Sequence, residues 1–220
     1  MMNENINIEI TPEELSLLTS ISVNEKKVRE GQLNNWQKQL LMEIKAVRSV
    51  LNDKYPSSSF EIKECTGTST QNGFSTFLFS EASHEEMLFD ASCTPDIDSK
   101  GDFRIEDNYY RVFLEPVLKD TLHSILRAHA LEPVQILCSY TSMLGKEADE
   151  TITLDSVIKN GLKVQPTIQI ILDGNVPDDN AAAEQITQAS RYVKDLSVPG
   201  FYVLRTDSGT GGSNRISFSI

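Results

Sequence analysis

VQPTIQIILDG, Val164 to Gly174, reads as a β-strand covered on both faces. Four of the five residues from Ile168 to Leu172 are apolar, which suits a strand with no solvent side. Pro166 marks its start and Asp173-Gly174 its end. Proline has no N–H to donate to a ladder, and Asp-Gly turns a chain readily. The expectation is a central strand against which the other elements bury their apolar sides.

Working outward toward the C-terminus, Asp178, Asp179 or Asn180 can cap a helix with the stripe Ala182, Ile186, Ala189, Val193 and Leu196. Pro199-Gly200 turns the chain into strands at Phe201–Leu204 and Arg215–Ile220, the latter with Ile216, Phe218 and Ile220 on one face. A glycine-rich loop, 207–214, joins them. Toward the N-terminus, Asp155 can cap a short helix ending at Asn160-Gly161, and Val134–Tyr140 reads as a strand. Before it, Pro116 suits the first position of a helix carrying Val117, Leu118, Leu122, Ile125 and Leu126 to about Ala130. Residues 94–107 are polar and acidic and read as a connection.

Phe60–Thr66, Phe74–Ser80 and Glu86–Ser92 read as three strands. Asn72-Gly73 is a hairpin signal, and the short turns favour an antiparallel meander. The clearest periodicity lies further back. Leu33, Trp36, Leu40, Ile44, Val47 and Leu51 step by three or four residues along a helix from about 24 or 32 to 54. Tyr55-Pro56 stops it, and Gly31 makes a break near its beginning. This stripe either forms an interface or packs on the chain's own sheet. Thr11, Pro12 and Glu14 are the N-cap, N1 and N3 of an earlier short helix, and Ile6, Ile8 and Ile10 precede it in a strand or loose arm. The fold class is therefore α+β: a mixed, largely antiparallel sheet with packed helices, preceded by a helical N-terminal segment. Residues 1–55 form that segment and 60–220 the α+β domain, divided at Pro56-Ser57-Ser58-Ser59 unless the two are continuous.

The 220 residues carry 20 Lys and Arg against 32 Asp and Glu, a net charge of −12. Such a surface repels nucleic acid and anionic membranes, whose binding draws on clustered cations. The three cysteines, Cys65, Cys93 and Cys138, are too few and too scattered for a disulfide framework, so a reducing, cytoplasmic setting is expected. The first ten residues lack the pattern of a signal peptide, and no apolar run nears the roughly 20 residues of a membrane span.

Several partial motifs arise. Asp207-Ser208-Gly209-Thr210 resembles the D-[ST]-G-[ST] motif of aspartic proteases, but only ten residues follow it. The same loop lacks the lysine and following helix of a phosphate-binding loop. Asp173-Gly174 resembles the strand-end Asp-x-Asp-Gly of phosphatases and dehalogenases, with Ile171 where the nucleophile belongs. Residues 96–107 resemble an EF-hand loop, with Asp96, Asp98 and Asp102 at acidic positions, Gly101 at the turn and Asp107 at the last position. Lys100 replaces an oxygen ligand there, and Thr94-Pro95 denies the entering helix. His84, His123 and His129 form no ligand pair by spacing.

These readings favour a non-enzymatic protein acting through protein contacts, as an adaptor, assembly component or immunity-like partner. It would need no cofactor, and the Leu33–Leu51 stripe would serve a partner or self-association. The alternative is an enzyme, small-ligand binder or calcium-binding protein whose site is assembled from loop carboxylates.

Overall fold

Thr11 opens the first helix, α1 (Pro12–Ser20), through a reciprocal pair of bonds. Its hydroxyl accepts from the Glu14 N–H at 3.2 Å, and the Glu14 carboxylate accepts from the Thr11 N–H at 2.9 Å. Glu14 is buried and also meets Lys45 at 3.1 Å and Arg48 at 3.6 Å, so one carboxylate both caps α1 and ties it to a later helix. The computed structural model describes residues 9–67, 73–95, 102–176, 178–207 and 214–220. The expected Ile6–Ile10 segment lies mostly outside them.

The long periodic stretch resolves into two helices. α2 (Glu25–Arg29) ends before Gly31, whose φ of 74° breaks the chain direction. α3 (Asn35–Lys54) starts from an Asn34–Gln37 capping box and stops at Tyr55, the residue before Pro56. Its apolar stripe packs on a four-stranded sheet in the order β1 (Phe60–Thr66), β2 (Ser75–Glu81), β3 (Phe89–Pro95), β4 (Phe103–Asp107). β1, β2 and β3 form the expected antiparallel meander.

Two expectations in this region are corrected. β3 begins three residues later than Glu86, because Ala82–His84 forms a 3-10 turn and the Met87 N–H bonds back to the His84 carbonyl. The acidic stretch 94–107 is not a plain connection: its end is β4. Phe103 and Ile105 alternate inward while Arg104 and Glu106 pair with each other outside.

The chain divides between Glu106 and Asp107 into two compact units, and the Pro56–Ser59 segment lies inside the first. The second unit holds α4 (Arg111–Ala128), β5 (Pro133–Tyr140), α5 (Leu154–Asn160), β6 (Pro166–Asp173), α6 (Asp179–Asp195), β7 (Phe201–Asp207) and β8 (Arg215–Ser219). Its sheet runs β5-β6-β7-β8. β6 lies between antiparallel β5 and parallel β7, and α6 supplies the crossover that a parallel pair needs.

The stretch read first is thus an inner strand, but of this sheet alone; the first unit has a sheet and core of its own. Leu118, Leu122 and Leu126 of α4 and Ile186, Ala189 and Val193 of α6 bury Ile168, Ile170 and Leu172 of β6 with Tyr202 and Leu204 of β7. α4 includes Pro116, which was expected at the helix start. The Leu114–Leu118–Leu122–Leu126 stripe spans the proline and is wholly buried, and the first turn already uses tight bonds such as Val112 N–H to Tyr109 C=O. Burial of that stripe outweighs the one helical bond that proline forgoes. α5 is capped by Thr153 rather than Asp155, which instead pairs with Lys159 one turn on, and Gly161 at φ 60° closes it.

Candidate functional site

The six stripe residues do not share one surface. Leu40, Ile44, Val47 and Leu51 are buried in the core of the first unit, as the packing alternative requires. Trp36 remains 41% exposed, its indole lying across Gly67. Leu33 lines a cleft of about 420 Å³ with Asn24, Lys27, Gln32, Asn34 and Gln37. Two of those side chains, Asn34 and Gln37, are already engaged in capping α3.

Of the calcium-loop residues, Asp96 and Asp98 lie outside the described residues. Asp102 is exposed, whereas Asp107 is buried at the end of β4. There the Asp107 carboxylate accepts from the Tyr109 N–H at 2.9 Å, and its backbone pairs with Leu144. The loop is flanked by strands β3 and β4 instead of helices, so the carboxylate that would close it is held in a turn. Among the described residues no group of three or more His, Cys, Asp and Glu side chains is placed to hold a metal.

The three cysteine thiols are held in their neutral form. Burial, with the Glu43 charge adding to it, pushes the Cys65 thiol up to about 11 and that of Cys93 to about 12. Burial and Glu115 push Cys138 up to about 12. None is thiolate near neutrality. Glu43 is fully buried on α3 and accepts from the Ser75 hydroxyl and the Gln39 amide, a polar core link between helix and sheet. His84 hydrogen-bonds Glu81 at 2.9 Å through Nδ1, His129 stacks on Tyr192, and the buried His123 Nδ1 makes no hydrogen bond. Asp173 accepts from the Asn175 N–H, as a turn residue does. Asp207 ends β7, and the rest of the Asp-Ser-Gly-Thr motif lies outside the described residues.

One surface of the second unit brings together residues that the sequence kept apart. Because strand side chains alternate, the sheet face opposite the α4 and α6 core can be read from register. One row across the sheet is Gln135, Ile171, Arg205 and Arg215; the next is Leu137, Gln169, Val203 and Ser217; the third is Ser139, Thr167, Phe201 and Ser219. Leu137 and Phe201 are 43% and 42% exposed, while Val203 next to Phe201 along β7 and Ile171 diagonal to both Leu137 and Val203 are buried. Arg205 and Arg215 are directly opposite one another and both exposed. No ion pair joins either to a described residue. Sequence reasoning missed this surface because it depends on the β7–β8 register, which a stretch of loop conceals.

No helix among the described residues is long and apolar enough to cross a membrane. No family model and no curated protein matches the chain. Among solved structures, the chain is similar to the crystal structure of a DUF5037 family protein from Ruminococcus gnavus ATCC 29149, at 11% identity and a TM-score of 0.41, over 76% of this chain and 75% of that one.

Proposed function

We propose that the chain is a non-enzymatic protein-binding module, and that it docks its partner on the β5–β8 face opposite α4 and α6. The observation supporting this is the placement of Leu137 and Phe201, both large and exposed, on one face with Val203 next to Phe201 along β7 and Ile171 diagonal to both Leu137 and Val203. Scattered exposed apolar residues are ordinary, but several on one face surrounded by polar residues mark interaction surfaces. Gln135, Gln169, Ser217 and Ser219 supply such surroundings. Leu40, Ile44, Val47 and Leu51 of the α3 stripe are buried, which favours the sheet face over that helix as the docking surface.

Site-specific photo-crosslinking tests the reading in the cells that naturally make the protein. A photoreactive residue at position 137 or 201 should give one discrete adduct, and the same residue at exposed Val117 on α4 should not. Adducts of equal yield from all three positions, or none from 137 and 201, would remove it.

A further inference from the structure

Resting on that reading, we propose that the β5–β8 face takes an acidic amphipathic helix of a partner protein, its carboxylates received by Arg205 and Arg215. Like charges directly opposite across two antiparallel strands are unfavourable, their Cβ atoms being about 5 Å apart. This chain has 32 acidic residues for 20 basic ones, yet it faces one arginine with another and gives neither an ion pair with a described residue. A carboxylate arriving between them would accept from both guanidinium forks and relieve the repulsion.

Phe201 lies four residues along β7 from Arg205 on the same face, about 13 Å at the usual strand rise. A helix covers that distance in about nine residues, so one short helix can set apolar side chains on Leu137, Val203 and Phe201 and acids on the arginines. The opposite face of this sheet is already covered by helices α4 and α6. Two cations on a chain of net charge −12 suit a few carboxylates. Duplex DNA binding rests on about 6–10 phosphate contacts and anionic membranes on clusters of about 4–8 basic residues, neither of which this face offers.

The probe is a fluorescein-labelled, end-capped Ala-based helical peptide of about 18 residues. It carries Leu at alternating three- and four-residue spacing and Glu beside the stripe at one end. Sister peptides carry Gln or Lys in place of Glu. Anisotropy with the full chain should show the Glu peptide bound roughly tenfold more tightly than the Lys peptide, with affinity falling as salt rises. The double variant R205S/R215S should lose roughly tenfold in affinity and most of the salt dependence, while its melting temperature stays equal to or above that of the parent. Equal binding of the Glu peptide by parent and double variant would overturn the carboxylate assignment, as would stronger binding of the Lys peptide.

Two further variants separate this inference from the reading beneath it. If the Gln peptide binds as well as the Glu peptide and only L137S or F201S weakens it, the arginine inference falls and the docking face stands. If R205S/R215S abolishes binding while L137S and F201S do not change it, the apolar docking reading falls. Displacement of the Glu peptide by single-stranded DNA or phosphatidylserine vesicles at lower concentration than by unlabelled Glu peptide overturns the choice of a protein partner. Failure of every peptide to bind overturns both.

Discussion

Ala130 adopts φ 57°, a left-handed conformation that costs an L-residue with a Cβ about 1–2 kcal/mol. It is there because the end of α4 closes by two bonds, Leu131 N–H to Leu126 C=O and Ala130 N–H to Arg127 C=O, each 3.0 Å. Glycine is the usual residue at that position. Ala130→Gly should therefore stabilise the protein by about 1 kcal/mol in thermal or denaturant unfolding; a loss of stability would contradict the assignment of this cap.

Gly67 is constrained differently. A Cβ placed on it would stand 2.6 Å from Cζ2 of Trp36 and 2.8 Å from Cε2. Gly67→Ala should displace the indole, and because Trp36 is the single tryptophan, its emission should shift. Unchanged emission would show that the contact does not form. Caps were the residue-scale features most legible in sequence: Thr11 with Glu14, and Asp178 at the start of α6, act where their side-chain chemistry places them. The Thr153 cap was missed because Asp155, two residues on, offers the same chemistry.

The connection between β2 and β3 depends on a single buried carboxylate. Burial alone would raise the Glu81 pKa, but hydrogen bonds from His84, the Ser83 N–H and Ser59 hold it below the usual carboxylate value of 4.5. A carboxylate with a depressed folded pKa contributes stability above its unfolded pKa and loses it as pH falls through the folded value. The stability difference between the parent and Glu81→Gln should therefore be largest above pH 4.5 and shrink in more acid solution. A difference constant across that range in denaturant titrations would show that Glu81 does not carry the turn.

Elements with strong local patterns were read with nearly their observed bounds: β1, α3 and the α6 stripe follow from alternation or three-to-four spacing alone. β4 was hidden because its inward positions hold just two apolar residues, Phe103 and Ile105, before the buried Asp107, so acidic composition masked a short alternation. The start of α4 was misplaced because a local rule about proline was allowed to outweigh a stripe that continues through Pro116.

Over the whole chain, the α+β class was legible and the division into two sheets was not. Strand type is written in local pattern, but the choice of partners is set by contacts distant in sequence. Nothing near Ile168 says that its sheet excludes Phe77. For the same reason the Arg205–Arg215 juxtaposition appears only once β7 and β8 are paired. The architecture rests on each unit burying its own core. In the second, Leu118, Leu122, Ile168, Ile170, Ile186 and Leu204 close on one another without a residue from the first.

Scanning calorimetry of residues 107–220 expressed alone tests that self-sufficiency most directly. The expected result is one cooperative transition with an unfolding enthalpy of about 80 kcal/mol near 60 °C, in keeping with roughly 0.7 kcal/mol per residue. A featureless trace, with the fragment lacking fixed tertiary structure, would contradict it.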